Sequence, residues 1–158
     1  MELDVALQRF VVLALWERPK GDRRWKVPRA DVRAAIETAF NTYNVMQLYA
    51  DPHYFRDMLE ELGEQYPERV TQWATNARVR MAAATDRFAT GAYNRAYSWD
   101  GSDAFRRHIL AANAEVTPAG DVIRKRADKP QPIDLAVCAI LAYEAAATIV
   151  PEPEYAIY

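Results

Sequence analysis

The apolar residues of this chain change their period several times along its length, and that change constrains the fold more than any other feature. Residues 10–16 (FVVLALW) are β-branched and nearly unbroken in apolar character, as in a strand buried on both faces. Pro19 and Gly21 then mark a turn, and WKVP (25–28) reads as a second short strand closing a hairpin. From Pro28 to Tyr43 the period lengthens. Val32, Ala35, Ile36, Ala39, Phe40 and Tyr43 recur at three and four, which is one face of a helix, and Pro28 and Asp31 suit its first turn.

The same exchange repeats downstream. VMQLYA (45–50) is a strand candidate, followed by a helix over YFRDMLEELGEQY with Phe55, Met58, Leu59 and Leu62 on one side. RVTQWAT (69–75) reads as a third core strand, and an alanine-rich helix runs from about Val79 to Tyr93. SWDGSD breaks the chain, FRRHILAANA (105–114) is a shorter helix, DVIRKR (121–126) a short exposed strand and DKPQP a loop. A broad apolar helix covers IDLAVCAILAYEAAATIV, and PEPEYAIY ends the sequence as an extended tail. Strands alternating with helices predict an α/β fold, a sheet with helices on its faces.

At 158 residues the chain has the length of one domain, assigned to 1–150 with a tail at 151–158. A net charge of -2 argues against a surface that is basic all over, so nucleic-acid contact would depend on local clusters, in 18–26, 106–113 and 123–129. Each of these also reads as an ordinary solvated face. One cysteine, Cys138, excludes a disulfide within the chain and reads as a buried small hydrophobe. No apolar stretch is long enough to span a membrane, and the acids of MELDVALQR replace a signal peptide's basic start, so the expected location is the cytoplasm.

With glycine only at 21, 63, 91, 101 and 120, neither a Walker A loop nor a dinucleotide fingerprint can be written. Ser98 and Ser102, the only serines, lie outside any GxSxG elbow, and His53 and His108 form no zinc spacing. Two acids stand out. Asp51 follows VMQLYA at a strand end, from which a carboxylate can point into a crevice of an α/β sheet; followed by Pro52, it equally reads as a helix cap. Asp134 opens the last helix, where it can stabilise the positive end of the dipole or, together with Asp51, hold a hard cation such as Mg2+ or Mn2+.

Taken in order, WERP (16–19), LYADPHYF (48–55), the WATN and RM elements (73–81), DRF (86–88), RHILAANA (107–114) and IDLAVCAILAYEAA (133–146) resemble the C-terminal nuclease domain of tailed-bacteriophage terminase large subunits, particularly those of phages and prophages of actinobacteria. The resemblance covers the chain from about Phe10 to Ala147. It implies an RNase H-like mixed sheet flanked by helices, and cleavage of concatemeric double-stranded DNA during genome packaging with two Mg2+ or Mn2+ ions. It places Asp51 and Asp134 among the metal-binding, catalytic acids, and His108, Asn113, Arg124, Lys125 and Lys129 near the DNA backbone. The portal and the small terminase subunit are the implied protein partners, in the host cytoplasm.

The chain departs from that pattern at its start. The family's domain opens with a central strand bearing a further metal-binding aspartate, well upstream of WERP, whereas here fifteen residues precede Trp16 and Asp4 is the only Asp among them. The expectation is therefore an N-terminally incomplete domain with unpaired strand edges that invite dimerisation. An inactive remnant that binds DNA or packaging proteins is the alternative to an active nuclease.

Overall fold

The computed structural model describes residues 8–149; the expected tail and Asp4 lie outside them. The element order is β1 (Gln8–Phe10), α1 (Arg29–Thr42), β2 (Leu48–Ala50), α2 (Arg56–Gln65), β3 (Val70–Gln72), α3 (Arg78–Tyr93), β4 (Tyr97–Trp99), α4 (Asp103–Ala111), β5 (Ala112–Thr117), β6 (Gly120–Lys125) and α5 (Asp134–Thr148). The α/β character expected from the alternating periods is present. Among the described residues, hydrogen bonding divides the strands into three pairs instead of one continuous sheet: β1 with β4 and β2 with β3, both parallel, and β5 with β6, antiparallel.

The helices formed where the period of three and four was clearest. In α2, Met58, Leu59 and Leu62 are buried at one face against Val32 and Ile36 of α1 and Val70 of β3. Burying a side chain such as Leu62, fully enclosed here, contributes about 1.5–3 kcal/mol. Trp73, at the end of β3, joins Met81, Ala82 and Ala84 of α3, Val122 of β6 and Ile140 and Leu141 of α5 in the central core. A third cluster gathers Phe105, Leu135 and Ala139 with Phe10, Val12 and Leu15.

Aromatic rings fill the space behind β1. Phe10 meets Tyr97 edge-on at 4.9 Å, Tyr97 stacks on Phe88 at 5.0 Å, and Tyr143 approaches Tyr97 at 5.1 Å. The Tyr97 hydroxyl donates to the Phe88 carbonyl, and burial, with Tyr143 beside it, pushes its pKa up to about 12. Gly91 lets α3 pass close to these rings: a Cβ there would lie 2.6 Å from the Tyr143 hydroxyl, so the ring would have to shift.

Three expectations need correction. FVVLALW is not a doubly buried strand: β1 ends at Phe10, and Val11 and Leu13 are 55% and 59% exposed, since among the described residues β1 has a neighbour on one edge only. WKVP forms no strand, because the Asp22 carboxylate accepts the Arg24 and Trp25 amides and turns the backbone. The helix expected to continue through Ala114 stops at Ala111, and β5 begins at once, paired with β6 in a hairpin.

Candidate functional site

β2 and β3 run side by side, with Leu48, Tyr49 and Ala50 opposite Val70, Thr71 and Gln72, so both chains leave the pair at the same end. Asp51 is the first residue beyond β2. One of its oxygens accepts the His53 amide at 2.9 Å, closing a turn, and the other accepts the backbone N–H and the hydroxyl of Thr75. The carboxylate thus ties together the exits of two parallel strands. It does not cap α2, as the Asp-Pro pair suggested: the capping position is Phe55, four residues further on, after a turn in which the Phe55 amide donates to the Pro52 carbonyl. Tyr54 in this turn has a φ of 68°, a left-handed conformation uncommon for a bulky side chain.

Asp51 borders an open depression of about 680 Å³ lined also by His53, Arg56, Asp57, Glu60 and Asn76. Asp57 is paired with Arg29 at 2.5 Å, and that hydrogen bond holds its carboxyl below the usual carboxylate range. Arg80 stacks over the Trp73 ring at 4.0 Å, at the end of the neighbouring strand.

Asp134 is the first residue of α5, exposed, at the positive end of the helix dipole. It does not line the depression beside Asp51. The helix start behind it is held by His108, which is 1% exposed. His108 Nδ1 accepts the Leu135 amide at 3.0 Å, and Nε2 lies 3.0 Å from Glu17 Oε1. An Nδ1 that accepts leaves the proton on Nε2, which donates to Glu17. Glu17 also accepts from Arg107 at 3.1 Å, and the Arg107 hydrogen bond, then the His108 one, lowers its pKa from 4.5. The segments WERP, RHILAANA and PIDL therefore meet around one buried imidazole. Both ring nitrogens are engaged inside the protein, where the imidazole links Glu17 to the start of α5.

Asn113, Arg124 and Lys125 share the β5–β6 hairpin, where Asn113 is opposite Arg124 and Lys125 opposite Ala112. All three are exposed, as is Lys129 in the following loop. Arg124 is paired with Glu115 at 2.8 Å. Lys125 has no ion pair among the described residues. Cys138 is exposed, contrary to the expectation of burial, because the face of α5 that carries it borders a groove. The apolar walls around the thiol, then the Asp134 carboxylate, raise its pKa.

Sequence reasoning did not find Thr75, Glu17 or the role of His108. Their partners lie 24, 91 and 27 positions away, beyond the reach of any local spacing.

A hard divalent ion needs several oxygen ligands at once. Both Asp51 oxygens already accept hydrogen bonds, Asp57 is held by Arg29, and among the described residues no three His, Cys, Asp or Glu side chains gather closely enough to hold an ion. The described residues by themselves do not fit the two-ion site that the resemblance implies.

No family model matches the sequence, and no solved structure gives a significant match. The chain is similar to two curated phage proteins, each named Gene 13 protein, from Mycobacterium phage L5 and Mycobacterium phage D29; both are 29% identical over 146 residues, covering 85% of this chain and 24% of the relative. It spans about a quarter of the length of the relatives it matches. No helix among the described residues is long and apolar enough to cross a membrane.

Proposed function

We propose that the chain is part of the nuclease domain of a tailed-phage terminase large subunit, a domain that hydrolyses phosphodiester bonds of concatemeric double-stranded DNA during packaging in the host cytoplasm. The observation that carries this reading is the place of Asp51: a carboxylate held at the common exit of two parallel strands, where α/β proteins put their ligand-binding groups. The similarity to phage proteins and the order of the six sequence segments support it. Asp51 and Asp134 are this chain's contribution of acids, and the remaining metal-binding groups come from outside residues 8–149.

In this reading the RNase H-like sheet is likewise completed from outside those residues. The hairpin residues Asn113, Arg124 and Lys125, with Lys129, contact phosphates, which positions DNA without reading its sequence. His108 acts as a positioning residue. Nicking of supercoiled plasmid with Mn2+, by the full-length polypeptide that carries this segment, tests the assignment. Asp51→Asn and Asp134→Asn are each expected to abolish nicking while leaving the circular dichroism spectrum unchanged. Undiminished nicking by either variant would remove that acid from the site.

That no donor cluster forms among the described residues favours a second reading, an inactive module that binds DNA or packaging proteins such as the portal or small subunit. Calorimetric titration with Mn2+ separates the two: the full-length polypeptide binds the ion under the first and does not under the second.

A further inference from the structure

The turn from β2 to α2 holds Tyr54 at a φ of 68°, in a region of the backbone map that suits glycine or asparagine better than a bulky residue. The ring gains little packing in return. Tyr54 is 78% exposed, and the ring it meets, at 3.8 Å, is that of His53, which is exposed as well.

The conformation is fastened from several sides. Asp51 accepts the His53 amide, and the Phe55 amide donates to the Pro52 carbonyl. From α1, the Arg29 guanidinium donates to the Tyr54 carbonyl and to Asp57, and lies 5.5 Å from the centre of the Phe55 ring. A left-handed residue persists only where its surroundings over-determine it, and such places cluster where a protein meets its ligands. Glycine would make the same turn with less strain, so the tyrosine ring serves something other than the turn.

Tyr54 stands on the lip of the depression beside Asp51, which Asp57 and Glu60 also line. Three carboxylates repel a phosphate that arrives without cations, whereas an uncharged planar group meets no such repulsion. We propose that Tyr54, with His53 beside it, is a stacking platform for one base of a nucleic-acid strand. Every base has a π-face, so a rigid exposed ring can take any of them, and a tyrosine with two side-chain torsions loses little freedom in doing so.

The choice of a nucleic-acid ligand rests on the nuclease reading, which this contact deepens. The hairpin residues of that reading touch phosphates only, while Tyr54 holds a base next to Asp51. A base stacked on Tyr54 has left the stack of its own duplex, so the strand at the depression is locally unpaired.

The test measures binding of the purified chain to a labelled short oligothymidylate by fluorescence anisotropy, at low salt and without divalent ions. An abasic oligonucleotide of the same length supplies the same phosphates without bases, and free thymidine supplies the base without a strand. The chain is expected to bind the thymidylate about tenfold more tightly than the abasic strand. Tyr54→Gly is expected to erase that preference with an unfolding midpoint unchanged or raised, and Tyr54→Phe to keep it.

Equal affinity for the two strands, or a preference that survives in Tyr54→Gly, would overturn the proposal. A lower unfolding midpoint in Tyr54→Gly would overturn it too, by showing that the ring serves the fold. Free thymidine that binds as tightly as the strand would assign the platform to nucleosides instead of a nucleic acid. The base preference is read without metal or cleavage, and nicking by Asp51→Asn is read without Tyr54, so this proposal and the nuclease reading fail separately.

Discussion

Replacing His108 with alanine removes three things at once. The ring is 1% exposed, so its loss leaves a cavity, and truncation of a buried side chain costs about 2 kcal/mol or more. The Leu135 amide at the start of α5 loses its acceptor, a loss comparable to that of a helix cap, about 1 kcal/mol. Glu17 loses the Nε2–H donor but keeps Arg107 and access to water, so that change adds little. The sum is about 3 kcal/mol, which for a chain of this size lowers Tm by about 6–12 °C. Urea denaturation followed by circular dichroism measures it, with hydrogen exchange at the Leu135 amide as the local readout. An effect below about 1 kcal/mol, with Leu135 still protected, would refute the reasoning. Weakened DNA binding at unchanged stability would show instead that His108 reaches DNA directly.

Other perturbations separate the remaining contacts. Glu17 has a folded pKa below its ordinary 4.5, so its ionised form stabilises the fold above that value and the contribution disappears as pH falls through the folded pKa. The stability gap between the wild type and Glu17→Gln should therefore be constant at neutral pH and shrink on acidification; a gap that widens in acid would contradict the assignment. Gly91→Ala gains helix propensity of about 1 kcal/mol but drives a Cβ into the Tyr143 hydroxyl and the Tyr97 ring, so denaturant titration should show a net loss of about 1–2 kcal/mol. A more stable variant would mean that those rings move aside freely. On the hairpin, the proposed nuclease reading expects Lys125→Ala to lower the salt-dependence slope of DNA binding by about 1, and Arg124→Ala by less, because Arg124 already pairs with Glu115. Equal slopes in both variants and the wild type would place DNA elsewhere.

Helix periods were the legible part of the sequence. Val32 with Ile36 and Met58 with Leu62 recur at a spacing that only a helix turns to one side, and α1 and α2 follow it within a residue or two. Strand lengths were not legible, because an apolar run such as VVLAL extends a strand only where an adjacent edge exists to pair with it. The turn from α4 into β5 at Ala111 and Ala112 carries no glycine or proline, so composition offered no boundary there. Asp51 could be placed at a strand end from its position after VMQLYA. Its hold on Thr75 depends on the pairing of β2 with β3, which periodicity does not encode.

The pairing of β1 with β4 has a kinetic consequence. The β5–β6 hairpin joins residues close in sequence, and β2 meets β3 across one intervening helix, whereas the amide of Val12, just beyond β1, bonds Asp100, just beyond β4, across 88 positions. Closing so long a loop costs entropy that local contacts must offset first. In refolding, the hairpin and the β2–α2–β3 unit should gain protection early, and residues 8–12 should dock last. An encounter with protease or with another polypeptide before that step would find β1 still free.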